Sequence, residues 1–107
     1  LDVGASLTGR SDIGNKVLIR NLGSRPVILA NWSMYYQSGR WPFRRKTYFA
    51  NPEYDFSDVT IEPQSTCELT FADHDHFDWG ASQGGDSIHI RLYLVGRRTM
   101  YFVVYRP

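Results

Sequence analysis

Hydrophobic and polar residues alternate one by one along most of this chain, the period of a half-buried β-strand. Leu1, Val3, Ala5 and Leu7 share one side of a first strand, and residues 9–15, rich in Gly, Ser, Asp and Asn, read as a turn. Residues 16–21 form a second strand, stopped by Leu22-Gly23-Ser24-Arg25-Pro26, where Gly supplies unusual φ angles and Pro removes a ladder donor. A return strand runs over 27–36. Its Ile28, Ala30, Trp32, Met34 and Tyr36 are expected to face the core, because that set holds the large indole and no obligatory polar group. Val27, Leu29, Asn31, Ser33 and Tyr35 are left for the other face.

Residues 38–51 break the alternation and read as a long loop or irregular edge carrying aromatics and four positive charges. Val59 and Ile61 mark a short strand before the turn Glu62-Pro63-Gln64-Ser65. Cys67, Leu69 and Phe71 then alternate with Thr66, Glu68 and Thr70, and residues 72–85 form a second loop, dense in Asp, His and Gly. The longest alternation covers 87–95, with Ile88, Ile90, Leu92 and Leu94 inward and His89, Arg91 and Tyr93 outward. Gly96-Arg97-Arg98 closes a hairpin into a last strand whose Met100, Phe102 and Val104 face the core. The opposite side of that strand, Tyr101, Val103 and Tyr105, is unusually apolar for a solvent face, so another sheet or a second copy of the chain is expected to cover it.

About seven short strands and no amphipathic helix predict an all-β, antiparallel immunoglobulin-like β-sandwich, one domain over residues 1–107. Trp32 is placed at the centre of its core. A small β-barrel produces the same alternation and is the alternative. A chain of 107 residues and 12.4 kDa suffices for one core, burying roughly 65% of its unfolded surface. With 42% apolar and 15% aromatic residues it is too rich in core formers for disorder. No apolar run is long enough for a membrane-spanning helix, and no basic-then-apolar leader opens the chain. The missing initiator Met is expected to reflect trimming of a longer chain.

The segment Asn21 to Met34, with its Gly/Pro turn and its strand bearing Trp32, resembles immunoglobulin-like domains. Together with Ile61-Glu62-Pro63-Gln64-Ser65 it is similar, more narrowly, to lamin-tail-type domains. Those domains have a Gly where this chain has Gln64, and they lack an insert like residues 39–49. Paired cysteines flanking a Trp, as in antibody domains, are absent, since Cys67 is the single cysteine. The resemblance implies a non-catalytic module that binds protein, nucleic acid or another domain.

Two segments carry chemistry. Arg40, Trp41, Phe43, Arg44, Arg45, Lys46 and Tyr48 combine cations that contact carboxylates or phosphates with rings that stack on a partner. These residues are expected to form a partner-binding surface. The competing reading has the aromatics covering the end of the sandwich while the charges are merely solvated. A formal net charge of +1 favours a protein partner or adjacent domain over nucleic acid. His74 and His76, two apart, project to the same side of an extended segment, and Asp78 could add a third metal ligand. Against this stands a solvated loop whose Asp side chains cap backbone donors. Cys67, in phase with Leu69 and Phe71, reads as a small buried hydrophobe, and His89 as a surface residue. No nucleophile elbow, phosphate-binding Gly-Lys loop or His-Glu-x-x-His helix occurs, so neither an enzyme nor a cofactor is expected. A metal-binding domain or metal-dependent enzyme using the Asp/His loop, and a structural spacer, remain the alternatives to a binding module.

Overall fold

In the computed structural model, residues 1–39, 42–52, 56–80 and 85–107 are described. They form eight strands: β1 (Asp2–Ser6), β2 (Asn15–Asn21), β3 (Val27–Ser38), β4 (Arg45–Ala50), β5 (Val59–Ile61), β6 (Ser65–Phe71), β7 (Ser87–Leu94) and β8 (Met100–Tyr105). A 3-10 turn, Asp73–Asp75, interrupts the β6–β7 connection. All pairings are antiparallel, in a three-stranded sheet ordered β1-β2-β6 and a five-stranded sheet ordered β4-β3-β7-β8. The fifth strand, β5, pairs with the start of β3 on the edge that β4 takes at its end. The sheets stay separate, so the chain is a β-sandwich and the barrel alternative fails.

The core is what period two dictates, except at two bulges. Val17 and Ile19 from β2 meet Ile88, Ile90, Leu92 and Leu94 from β7 between the sheets, and Trp32 is buried among them. The Trp32 indole meets Phe71 edge-on at 5.6 Å, a geometry worth about 0.5–1.5 kcal/mol beyond area burial. Cys67 is half-buried, and burial pushes its thiol up from the ordinary value.

The first bulge lies in β3. Val27 and Leu29 are buried while Ile28 is 37% exposed, the reverse of the sequence expectation for that half of the strand. The β3–β7 register shifts between Leu29 and Asn31, and beyond the shift Trp32 and Met34 point inward as expected. One extra residue in a bulge exchanges the two faces of a strand. A second bulge, between Ile88 and His89 against β8, brings Tyr105 into register with Ile88. Tyr105 therefore packs against the core and meets Trp79 edge-on, instead of joining Tyr101 and Val103 outside.

Residues 38–51 are also more regular than the lost alternation implies. Arg45 pairs with Ser38 and Lys46 with Gln37, so β3 and β4 form a hairpin. Gly39 sits at the turn with φ +84°, and a Cβ there would lie 2.6 Å from the Phe43 carbonyl oxygen, so the turn requires glycine.

Candidate binding surface

The outer face of the five-stranded sheet collects side chains from four adjacent strands. Alternation turns Lys46 and Tyr48 of β4, Tyr35 of β3, His89, Arg91 and Tyr93 of β7, and Tyr101 and Val103 of β8 to the same side. Register then aligns them: Tyr35 lies between Tyr48 and His89, and Arg91 opposite Tyr101. Tyr35, 3% exposed, is the hub, tilted against Tyr48 at 5.1 Å and stacked on the His89 ring at 5.2 Å.

Two cations are threaded among these rings. Lys46 Nζ lies 5.0 Å from the Tyr35 centroid and 5.4 Å from that of Tyr101. The Arg91 guanidinium lies 5.1 Å from the Tyr48 ring and 4.9 Å from that of Tyr93. Ring quadrupoles attract the cations, and the attraction grows as water is removed. Arg91 Nε is buried with no hydrogen-bond partner among the described residues. Burial, and then the neighbouring Tyr48 and Tyr101 hydroxyls, push the Tyr35 phenol up, while Arg91 opposes that shift. No Asp or Glu projects from the described strands onto this face. Tyr101 is 55% exposed, and Tyr48 is also exposed, so the rings remain open to a partner.

The predicted Arg/aromatic surface adjoins this face. Phe43, 84% exposed, stands at the β3–β4 hairpin with Arg44 and Arg45, both also exposed. Lys46 and Tyr48 continue from it into the ring-and-cation array. Arg40 and Trp41 lie outside the described residues. Phe49, next along the strand, turns inward and stacks on Tyr36 at 4.1 Å.

The Asp/His segment is built differently. His76 Nε2 donates to the Thr8 carbonyl at 2.7 Å, and Trp79 Nε1 donates to the same oxygen at 3.1 Å. The Asp73 amide donates to Ser11 O at 2.7 Å, while buried Asn15 links the Phe77 carbonyl to the Thr8 amide. These bonds fasten the segment to the β1–β2 connection. His74 and Asp78 are exposed, and no three His, Cys, Asp or Glu side chains that could hold a metal converge among the described residues. The structure thus does not bring His74, His76 and Asp78 together as a ligand set; His76 is spent on a backbone carbonyl. All three nonetheless line one open cleft of about 520 Å³, with Trp32, Tyr36, Phe49, Phe71 and Phe77 in its wall. Tyr36 donates its hydroxyl proton to the Asp78 carbonyl at 2.8 Å across that cleft.

Sequence reasoning overlooked Tyr35, His89, Arg91 and Tyr101 as a group. Each was legible as an outward position or second-face residue, but only the strand order places them side by side.

No helix among the described residues is long and apolar enough to cross a membrane. No protein-family model matches the chain, and no curated protein matches it. A crystal structure of a protein from Archaeoglobus fulgidus is a structural neighbour at TM-score 0.39 and 18% identity, over 99% of this chain and 91% of that one.

Proposed function

We propose that this β-sandwich is a non-catalytic binding module that takes a protein partner, or an adjacent domain, on the outer face of its five-stranded sheet and on the β3–β4 hairpin. The observation that carries the reading is the array of Lys46 and Arg91 between Tyr35, Tyr48, Tyr93 and Tyr101, on a face that the other sheet does not cover. Tyr and Arg are the side chains that dominate binding energy at protein interfaces. Here they are already packed against one another, which lowers the entropy lost when a partner docks. A face bearing cations and phenols, with no Asp or Glu from its described strands, favours an acidic partner surface.

The immunoglobulin-like and lamin-tail-type reading belongs to the same proposal. Its two turns, Asn21–Arg25 and Ile61–Gln64, are joined by hydrogen bonds. Buried Asn21 donates to the carbonyls of Arg25 and Ile61 at 2.8 and 2.9 Å, and Gln64 occupies the turn position with φ +61° that glycine favours.

A photo-crosslinking residue at Tyr101 should capture a protein that the same residue at Thr66, on the other sheet, does not. For a partner so identified, replacing both Arg44 and Arg45 with Glu should abolish capture. Thermal unfolding should change little, since exposed substitutions stay within about 0.5 kcal/mol each. Capture that survives this charge reversal places the contact surface elsewhere.

A further inference from the structure

One end of the five-stranded sheet contains a second cleft, of about 330 Å³, lined by Gln37, Gly39, Arg44, Ser87, His89 and Arg106. The register explains why these residues meet. Gln37, near the end of β3, pairs with Lys46 on one side and Ser87 on the other. Arg44 immediately precedes β4, and Arg106 follows Tyr105, which pairs with Ile88 at the start of β7. The lining holds two guanidiniums, an imidazole, a hydroxyl and an amide, with no carboxylate among the described residues. Neither arginine forms an ion pair with a described Asp or Glu.

Polar groups inside the cleft are already oriented. Ser87 Oγ lies 3.3 Å from the Gln37 carbonyl, which can only accept, so the hydroxyl proton goes there. Its oxygen then accepts from His89 Nε2, 2.9 Å away. His89 is held from the other side by the Tyr35 ring. Two permanent positive charges therefore face an imidazole that does not neutralise them.

We infer that this cleft binds a tetrahedral dianion of the phosphate-monoester type, clamped by Arg44 and Arg106. Two forked guanidiniums match two charges and several oxygens at once, whereas a single carboxylate would leave one arginine unbalanced. The inference goes beyond the protein-partner proposal and does not depend on it, because a small anion is titrated against the protein alone.

A bound dianion has a second consequence. Burial first, and then the positive charges of Arg106, Lys46 and Arg44, hold His89 below its ordinary pKa of 6.5. An anion offsets that field, so its binding raises the His89 pKa. For sulfate, which stays a dianion, acid in turn strengthens binding by reciprocity, whereas a phosphate monoester itself takes up a proton at about pH 6.

The test is an NMR titration with inorganic phosphate, O-phosphoserine, sulfate and acetate at constant ionic strength, following backbone amides and the His89 ring. Phosphate is expected to produce saturable shifts confined to Gln37, Gly39, Ser87 and His89, with none from acetate. Sulfate, a dianion throughout the pH range used, should raise the His89 pKa. Arg44→Gln and Arg106→Gln should each weaken phosphate roughly fivefold or more, and the double variant should abolish the saturable shifts. Arg97→Gln/Arg98→Gln, in the β7–β8 hairpin, should leave them unchanged. Tighter O-phosphoserine binding identifies a monoester carried on a larger molecule, and equal binding the free ion; either supports the site. Shifts that never saturate, or that persist in a folded Arg44→Gln/Arg106→Gln protein, overturn it.

Discussion

Asn21, 2% exposed, satisfies three backbone groups with one side chain: its Nδ2 donates to Arg25 and Ile61, and its Oδ1 accepts from the Gly23 amide at 3.0 Å. Nearby, the Gln64 amide donates to the Asn21 carbonyl at 2.8 Å, and Gln64 Nε2 to Leu22 O at 2.9 Å. Those bonds hold a non-glycine residue at φ +61°, a conformation costing about 1–2 kcal/mol. At the opposite end, His89 couples stability to pH. Its folded pKa lies below the ordinary 6.5, first because burial disfavours the charged ring and then because Arg106, Lys46 and Arg44 repel it. The unfolded chain thus binds this proton more readily than the folded one. The contribution is fully present above pH 6.5 and is lost as pH falls through the folded pKa. Replacing His89 with Phe keeps a ring against Tyr35 but removes the titration. Urea unfolding from pH 8 to pH 5 should show the wild type losing stability relative to His89→Phe on the acid side. Parallel curves would mean that His89 does not sense its neighbours.

At the scale of the strands, legibility followed regularity. β7 was readable residue by residue, because Ile88, Ile90, Leu92 and Leu94 are buried without a break in phase. β3 was readable only after its bulge, because alternation has no mark for an inserted residue and both faces of 27–30 are apolar. The hairpin strand β4 was missed because Lys46 and Tyr48 face outward in a polar-looking sequence, and only pairing with β3 makes them a strand. The candidate surface depends on such cross-strand neighbours, so its members could be named singly and not assembled. The phase change in β3 has a direct consequence. Leu29 is fully buried, so Leu29→Ala should cost about 2–5 kcal/mol. Ile28→Lys should cost no more than about 1 kcal/mol, since that side chain already reaches solvent. Denaturant midpoints of the two variants decide the matter. The opposite order would restore the unbroken alternation expected before the bulge was known.

The whole molecule is electrostatically two-faced despite its formal net charge of +1. On the outer side of the three-stranded sheet each cation has an acid nearby: Arg20 lies 3.2 Å from Asp2, and Lys16 lies 3.9 Å from Glu68. On the outer side of the five-stranded sheet Lys46 and Arg91 lie against tyrosine rings, and neither forms an ion pair with a described Asp or Glu. Its apolar content, Tyr101 and Val103 included, would otherwise suit a homodimer. In a two-fold contact, however, each copy would present its cations to those of the other, and like charges facing across an interface are strongly disfavoured. On the proposed reading, this surface disfavours its own copy and favours an acidic partner. Sedimentation at about 20 mM salt, where the Debye length exceeds about 20 Å, should give a single species at the 12.4 kDa monomer mass. Added salt screens the repulsion, so any self-association through this face should strengthen with ionic strength, opposite to the trend for an acidic partner. A dimer stable at low salt and dispersed by Tyr101→Ser would show that the face pairs with its own copy, and the repulsion argument would fall with it.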